Sequence, residues 1–173
     1  QDYNKGVLSK SVIRYIITLA NEKNVLSSVD PKFLNFMDYK NATIFKPNIK
    51  ETAQALACSI QTEDDIKIAG IQLLNKLNVK NVLLTLGAKG MALFESDGSY
   101  GHMHTKTRKV ADVSGAGDTV ISTMTAAMAG GANAREAASM ANYAAGIVCE
   151  EVGIVPIEAD KLKTEILLRE NDA

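Results

Sequence analysis

The chain has 173 residues, and its 19 lysines and arginines are balanced by 20 aspartates and glutamates, for a formal net charge of −1. This balance excludes the strongly charged surface expected of a general nucleic-acid-binding or membrane-surface protein. The length is sufficient to bury one sizeable core. No signal peptide, membrane-spanning apolar stretch or low-complexity tract stands out, so the expected location is the cytoplasm.

Two cysteines limit the chemistry further. Cys58 and Cys149 are far apart in the sequence and form no Cys-x-x-Cys spacing. Isolated cysteines favour free thiols in a reducing compartment over a disulfide framework or a structural zinc site. We therefore predict two buried, unpaired cysteines.

The chain begins with a predicted helix and two short strands. Apolar residues at helical spacing after Ser9 predict an amphipathic helix over residues 10–22. Its buried face would comprise Val12, Ile13, Ile16, Ile17 and Ala20. Residues 25–29 and 43–46 then predict two short strands.

Polar residues follow both strands. Asp30 and Lys32 come directly after the first strand, and ligands bind at the carboxyl ends of strands in open parallel sheets. A proline turn with solvated charges explains this pair equally well. After the second strand, Asn48 and Glu51 have the spacing of a capping box, which is the favoured interpretation from spacing alone.

The middle of the chain predicts a helix, a buried strand and a glycine-rich turn. Thr62 and Asp65 begin the helix. Its buried face would comprise Ile66, Ala69, Leu73, Leu74 and Leu77. Residues 79–86 are almost continuously apolar, as in a strand covered on both faces. Gly87 and Gly90 follow it, and by themselves they indicate only a hairpin connection.

A predicted edge strand comes next. Asp97-Gly98 marks a hairpin, and residues 100–105 alternate polar and apolar side chains. His102 and His104 would share one face, but no third metal ligand is near them in sequence, which favours an exposed edge over a metal site. Three basic residues follow this strand: Lys106, Arg108 and Lys109. We expect them to be either solvated or near a sugar phosphate.

The stretch with the clearest chemical meaning is Asp112-Val113-Ser114-Gly115-Ala116-Gly117-Asp118, which runs directly into a helix. Its small residues allow N–H groups to converge at the helix N-terminus, where the dipole favours an anion. Asp118 would lie beside that anion, within reach of a hydroxyl that must lose its proton. The pattern suggests phosphoryl transfer to an alcohol; the alternative is a glycine-rich loop with an acidic helix cap.

The last third of the chain predicts three helices. The first ends at Gly130-Gly131, a natural stop. The second begins at Asn133, with Glu136 three residues later, and the third covers residues 158–169. The small residues of the second helix are Ala137, Ala141, Ala144, Ala145 and Gly146. Such a face allows close helix packing and would also fit a flat adenine ring.

The stretch 112–118 resembles the second signature of the ribokinase-like (PfkB) sugar kinases. In these kinases the last Asp is the catalytic base, which implies this role for Asp118. The resemblance implies an anion hole at Gly115, Ala116 and Gly117. It also implies the family's fold, an α/β, Rossmann-like, mostly parallel sheet flanked by helices, and the cofactors ATP and Mg²⁺.

Weaker motifs recur in the family's order along essentially all 173 residues. Asn48 and Glu51 match an Asn-x-x-Glu motif, which implies that Glu51 organises Mg²⁺ through water beside the ATP phosphates. Thr85-Leu86-Gly87-Ala88-Lys89-Gly90 resembles the nucleotide-binding turn, which implies that Thr85, Gly87 and Gly90 approach ATP.

Further motifs lie in the C-terminal third. Asn142-Tyr143-Ala144-Ala145-Gly146 resembles the adenine-pocket segment, which implies that Asn142 and Gly146 contact the nucleotide. In related kinases, the positions of Asp112 and Ser114 belong to a monovalent-cation site, which implies K⁺ as a second metal ion.

The heptose 7-phosphate kinases are the branch that the chain most resembles. Asp30-Pro31-Lys32 matches that branch, with Lys32 near phosphate, and Thr123 stands where the broad family usually has Gly or Ala. This implies phosphorylation of D-glycero-β-D-manno-heptose 7-phosphate to the 1,7-bisphosphate, towards ADP-heptose and lipopolysaccharide core. Residues 1–6 resemble a segment midway through such kinases. We therefore expect residues 1–173 to be the C-terminal, ATP-binding and base-bearing part of a single kinase domain, with its N-terminal half absent.

Two other functions remain open. A sibling kinase for ribose, fructose or a nucleoside would use the same residues, and a non-catalytic nucleotide-binding fragment would keep the fold without turnover. Nothing after residue 157 resembles the His-x-x-His motif of a nucleotidyltransferase. The expected partners are ATP and a sugar phosphate, without nucleic acid or membrane, and the full-length protein is expected to be a homodimer.

Overall fold

The computed structural model describes residues 1–105 and 111–170. The basic residues Lys106, Arg108 and Lys109 lie outside the described residues. The chain divides into two compact units. The first comprises residues 1–87 and 91–102, and the second comprises residues 88–90 and those from 103 onwards.

The first unit is built around a five-stranded mixed sheet. Its helices are α1 (Lys10–Glu22), α2 (Ile49–Leu56) and α3 (Glu63–Leu77), and its strands are β1 (Ser28–Val29), β2 (Ile44–Phe45), β3 (Asn81–Thr85), β4 (Met91–Glu95) and β5 (Tyr100–Met103). The spatial order is β1-β2-β3-β4-β5. The first three strands are parallel, whereas β4 is antiparallel to β3, so that Leu83 is paired with Leu93. The predicted α/β class is confirmed.

Helix starts in this unit follow the predicted caps. The Asn48 side chain accepts a hydrogen bond from the Glu51 N–H at the start of α2, and Thr62 accepts one from the Asp65 N–H at the start of α3. In both cases the carboxylate of the acid accepts a hydrogen bond from the backbone N–H of the cap residue, which completes a capping box. The starting positions of α2 and α3 are therefore set locally, which fixes where Glu51 lies.

The core of the first unit lies between the sheet and its helices. Phe36, in a 3₁₀ helix at Phe33–Asp38, packs edge to face against Phe45 of β2, with ring centroids 5.0 Å apart. The other fully buried large residues of this unit are Ile13, Ile44, Leu73, Leu77, Val82, Leu83, Leu84, Leu93 and Phe94. Both faces of β3 are therefore covered, as its continuous apolar sequence predicted.

Three predictions for this unit are wrong in detail. Helix α1 buries Ile13 and Ile17 but leaves Val12 38% and Ile16 49% exposed, because its principal described neighbour is the Phe33–Asp38 segment. The first strand comprises only Ser28–Val29, and Val25, at its predicted start, is 58% exposed. Cys58 is exposed rather than buried, because it directly follows the left-handed residue Ala57 that ends α2.

The second unit is helical. Its helices are α4 (Ala116–Ala129), α5 (Ala134–Cys149) and α6 (Ala159–Glu170). The predicted capping box of α5 is present between Asn133 and Glu136. Ala137, Ala141 and Ala144 are fully buried, and α4 and α5 make the most extensive helix contact in the chain. No helix among the described residues is long and apolar enough to span a bilayer.

Candidate functional site

The loop before α4 has the geometry of a helix N-terminus without a side-chain cap. Gly115 is the N-cap residue, with φ of +78°. It has no side chain that could accept a hydrogen bond from an N–H of the first turn. A Cβ at this position would lie 3.2 Å from Ile154, in a conformation that L side chains rarely adopt. The first N–H groups of α4 have no acceptor within the helix, as at any helix start. One of them, from Ala116, donates to the Val113 carbonyl at 3.2 Å.

Asp118 is the third residue of α4 and is exposed. The predicted base is thus in the first turn, as its position after the glycines indicated. Gly117, between Ala116 and Asp118, is half-buried. A carboxylate at this position carries its charge beside first-turn N–H groups, where the helix dipole favours negative charge. The arrangement can hold an anion and place a proton acceptor beside it.

Asp112 is held by the loop itself. Its carboxylate accepts a hydrogen bond from the Ser114 N–H at 2.8 Å. The pKa of Asp112 lies below its ordinary value, chiefly because of this backbone hydrogen bond and a second one from the Ser114 side chain. The N–H groups of Ala111 and Asp112 both donate to the Cys149 carbonyl, at 2.8 and 3.2 Å. The start of the loop is therefore attached to the last turn of α5.

Asn142 and Gly146 are both buried on α5. The Asn142 side chain is only 4% exposed, and its Nδ2 donates to the His104 carbonyl at 2.7 Å. This bond ties α5 to the segment that follows β5. The amide therefore has a structural role in the chain itself, whatever it contributes to nucleotide binding.

In the first unit, two ion pairs lie beyond the ends of β1 and β2. The Lys46 ammonium lies 3.2 Å from an Asp30 carboxylate oxygen, and these side chains are only 4% and 6% exposed. Burial raises the pKa of Asp30 above its ordinary value, and the ammonium of Lys46 offsets only part of that effect. Of the two interpretations left open for this turn, solvated charges do not apply to Asp30, because its carboxylate is buried and paired.

The second pair joins Lys32 to Glu51. Lys32 Nζ lies 2.7 Å from Glu51 Oε1, while Glu51 Oε2 accepts the Asn48 N–H at 2.9 Å. Burial disfavours the charged form of Lys32, but the hydrogen bond and charge of Glu51, together with weaker contributions, outweigh it, so the pKa of Lys32 is raised. Three of the predicted site residues are thus brought together by direct hydrogen bonds.

Thr85 joins this group through the backbone. Its N–H donates to the Pro47 carbonyl at 3.0 Å, and it forms a parallel bridge with Asn48. The structure therefore places Thr85 at the same strand end as the capping box of α2.

The two glycines of the turn after β3 have different roles. Gly87 has φ of +61°, and no described residue lies within 4 Å of the position a Cβ would occupy, so a ligand could approach its backbone. A Cβ at Gly90, in contrast, would collide with the backbone of residues 103–105. Gly90 is therefore required by the fold of the second unit itself.

The donor set in the first unit suits a hard cation. Glu51, Asn48 and Thr85 supply carboxylate, amide and hydroxyl oxygens, the ligand types that Mg²⁺ prefers. No group of three His, Cys, Asp or Glu side chains within residues 1–105 and 111–170 could hold a metal ion alone. In nucleotide sites Mg²⁺ also takes water and phosphate oxygens as ligands. His102 and His104 belong to no such group among the residues that the structure describes.

Lys46 is the residue that sequence reasoning missed. The sequence predicts it only as the end of the second strand, whereas a buried Asp30 carboxylate requires a cation nearby. The available signal was its position directly before Pro47-Asn48, at the same strand end as the other polar residues.

A family model described as "pfkB family carbohydrate kinase" matches residues 5–160 of the chain. Two similar curated proteins are both named "Bifunctional protein HldE". The one from Desulfatibacillum aliphaticivorans is 39% identical over 165 residues, covering 95% of this chain and 34% of the relative. The one from Rhodospirillum rubrum is 41% identical, with 95% and 33% coverage. The chain thus spans about a third of the length of these relatives.

Solved structures show the same fold. Phosphofructokinase-2 from Escherichia coli, in complex with potassium, gives a TM-score of 0.82 at 20% identity, covering 94% of this chain and 53% of that chain. Ribokinase from Arabidopsis thaliana, complexed with ribose and ATP, gives 0.79 at 24% identity, with coverages of 92% and 52%. The predicted ribokinase-like fold is therefore confirmed.

Proposed function

Because this chain belongs to the pfkB family of carbohydrate kinases, we propose that the protein transfers the γ-phosphate of ATP to a sugar hydroxyl. Asp118 is the base that orients the hydroxyl and accepts its proton. The observation that carries this assignment is the exposed Asp118 carboxylate in the first turn of α4, directly after a glycine-capped loop. The amides of Gly115, Ala116 and Gly117 bind the charge that develops on the transferred group.

Nucleotide and metal are assigned to the remaining residues. Lys32, Thr85, Gly87 and Gly90 lie along the ATP phosphates and ribose in this proposal. Asn142 and Gly146 lie at the adenine. Mg²⁺, when bound with ATP, neutralises charge on the phosphates. The hydrogen-bonded pair of Asn48 and Glu51 holds that ion through water, and the loop at Asp112 and Ser114 holds K⁺.

The acceptor we propose is the anomeric hydroxyl of D-glycero-β-D-manno-heptose 7-phosphate. This is supported by the HldE relatives near 40% identity and by the Asp30-Pro31-Lys32 segment. In this proposal residues 1–173 are the ATP-binding and base-bearing part of a single kinase domain, and the complete protein acts as a homodimer in the cytoplasm. Light scattering measures that assembly directly.

Competition between acceptors tests the substrate. We expect ADP release by the complete protein to be fastest with heptose 7-phosphate when ribose, fructose 6-phosphate and a nucleoside are offered at equal concentration. A site built to hydrogen-bond the heptose hydroxyls would reject the others by at least about tenfold. Faster turnover of another sugar would support the kinase activity but show that heptose 7-phosphate is not the preferred acceptor. No turnover with any acceptor, despite Mg·ATP binding, would favour a non-catalytic nucleotide-binding protein.

A further inference from the structure

Glu51 has hydrogen-bond partners on both carboxylate oxygens, and the two partners differ in kind. Oε2 accepts the Asn48 N–H as part of the capping box that starts α2. Oε1 is held by the Lys32 ammonium, 19 positions away in the sequence. The first bond is built into the helix start and orients the carboxylate. The second comes from a long, flexible side chain outside any helix or strand.

Lys32 is the partner that can leave. Its side chain is 35% exposed, compared with 15% for Glu51. The neighbouring pair of Asp30 and Lys46 is almost completely buried and cannot separate without leaving a buried charge unpaired. Because the Lys32 side chain is partly exposed, its ammonium can leave Glu51 without becoming a buried, unpaired charge. The two pairs therefore differ, one being fixed and the other exchangeable.

The formal charges of the side chains at this strand end cancel before a ligand binds. Asp30, Glu51, Lys32 and Lys46 together carry no net charge. A divalent cation near Glu51 would lie close to the Lys32 ammonium and repel it. Phosphate oxygens arriving with the cation would offer that ammonium a new acceptor, since lysine binds phosphate well as a point charge.

We propose that Lys32 is an exchangeable counter-ion: its ammonium neutralises Glu51 in the unliganded protein and moves to a phosphate oxygen when Mg²⁺ and nucleotide bind. The inference rests on the proposed ATP and Mg²⁺ binding. This gives Lys32 a positioning role. Each charged side chain at the strand end has a partner of opposite charge both before and after Mg²⁺ and nucleotide bind. Lys32 weakens the binding of metal alone and strengthens the binding of metal with nucleotide.

The test is a pair of binding measurements on Lys32→Met in the complete protein. Mn²⁺, added alone and followed by its paramagnetic resonance signal, is expected to bind about five- to tenfold more tightly than to the unsubstituted protein, because its competitor is gone. Mg·ADP, measured by calorimetry, is expected to bind about five- to tenfold more weakly, because the phosphate contact is lost. The opposite signs are the signature of exchange.

Lys50→Met is the matched control, because it removes the same charge from an exposed residue adjacent to Glu51. It is expected to change neither affinity by more than about twofold. In a Glu51→Gln background, Lys32→Met should no longer tighten Mn²⁺ binding, which isolates the coupling between the two side chains. Lys32→Arg, which keeps the charge, should stay close to the unsubstituted protein in Mn²⁺ binding and controls for folding.

Each other outcome overturns the proposal. If both affinities rise in Lys32→Met, Lys32 only competes with the metal ion for Glu51 and makes no phosphate contact. If both fall, or neither differs from the Lys50→Met control, Lys32 is a structural ion pair. If the unsubstituted protein does not bind Mg·ADP, the proposed function itself is wrong. This result differs from one in which Mg·ADP binds but Lys32 does not exchange its partner.

Discussion

Asp118→Asn is expected to lower the turnover number of the complete protein by about 10²- to 10⁴-fold, because the amide cannot accept the proton of the sugar hydroxyl. Affinity for Mg·ATP should change by no more than about threefold, since catalysis of this kind depends on positioning and electrostatics at the transferred group. The substitution keeps the shape of an exposed side chain, so stability should be preserved. Steady-state kinetics and equilibrium ATP binding measure the two effects separately.

Asp64→Asn is the matched control for this experiment. Asp64 is an exposed acid in the first turn of α3, so its substitution makes the same chemical change at a comparable helix position. Its turnover should equal that of the unsubstituted protein. Near-normal turnover in Asp118→Asn, or an equal loss in both variants, would remove Asp118 from the role of base.

Lys46→Met is expected to destabilise the protein by about 3–5 kcal/mol at neutral pH, because it leaves the Asp30 carboxylate buried without its cation. The pKa of Asp30 is already raised by burial, and loss of Lys46 should raise it further. A carboxyl whose folded pKa exceeds its unfolded pKa destabilises the folded state at higher pH, and protonation relieves this as the pH falls. The destabilisation should therefore shrink as the pH falls through the raised pKa of Asp30.

Urea denaturation of the complete protein at several pH values measures this effect. The exposed Lys80 provides a control, since Lys80→Met removes the same charge without uncovering a buried acid. Asp30→Asn combined with Lys46→Met should recover much of the lost stability. A loss below about 1 kcal/mol, or a loss independent of pH, would show that the pair is not energetically coupled in the way its burial indicates.

Local signals predicted the helices well. Ser9, Asn48, Thr62 and Asn133 each cap a helix in the structure, because a cap depends on side chain and backbone within three or four residues of each other. The glycine-capped loop before α4 is local in the same sense. Its two conspicuous elements, the positive φ at Gly115 and the acid in the first turn, could therefore be predicted from the sequence.

Contacts between distant residues could not be predicted in this way. The pairing of Asp30 with Lys46, the hydrogen bond from Asn142 to the His104 carbonyl, and the collision that requires Gly90 all depend on tertiary packing. Helix periodicity likewise predicted that Val12 and Ile16 would be buried, but burial depends on which neighbours surround α1. The family resemblance identified candidate residues, whereas their partners came from the structure.

Phosphoryl transfer from ATP to the sugar is most directly tested by ³¹P NMR of the complete protein with Mg·ATP and heptose 7-phosphate. We expect the γ-phosphate signal of ATP to be replaced by ADP signals and a new anomeric sugar-phosphate signal in equal amount. Asp118→Asn should abolish this reaction on the same timescale. Release of inorganic phosphate without a sugar product, or no reaction with any sugar acceptor despite saturating Mg·ATP, would contradict it.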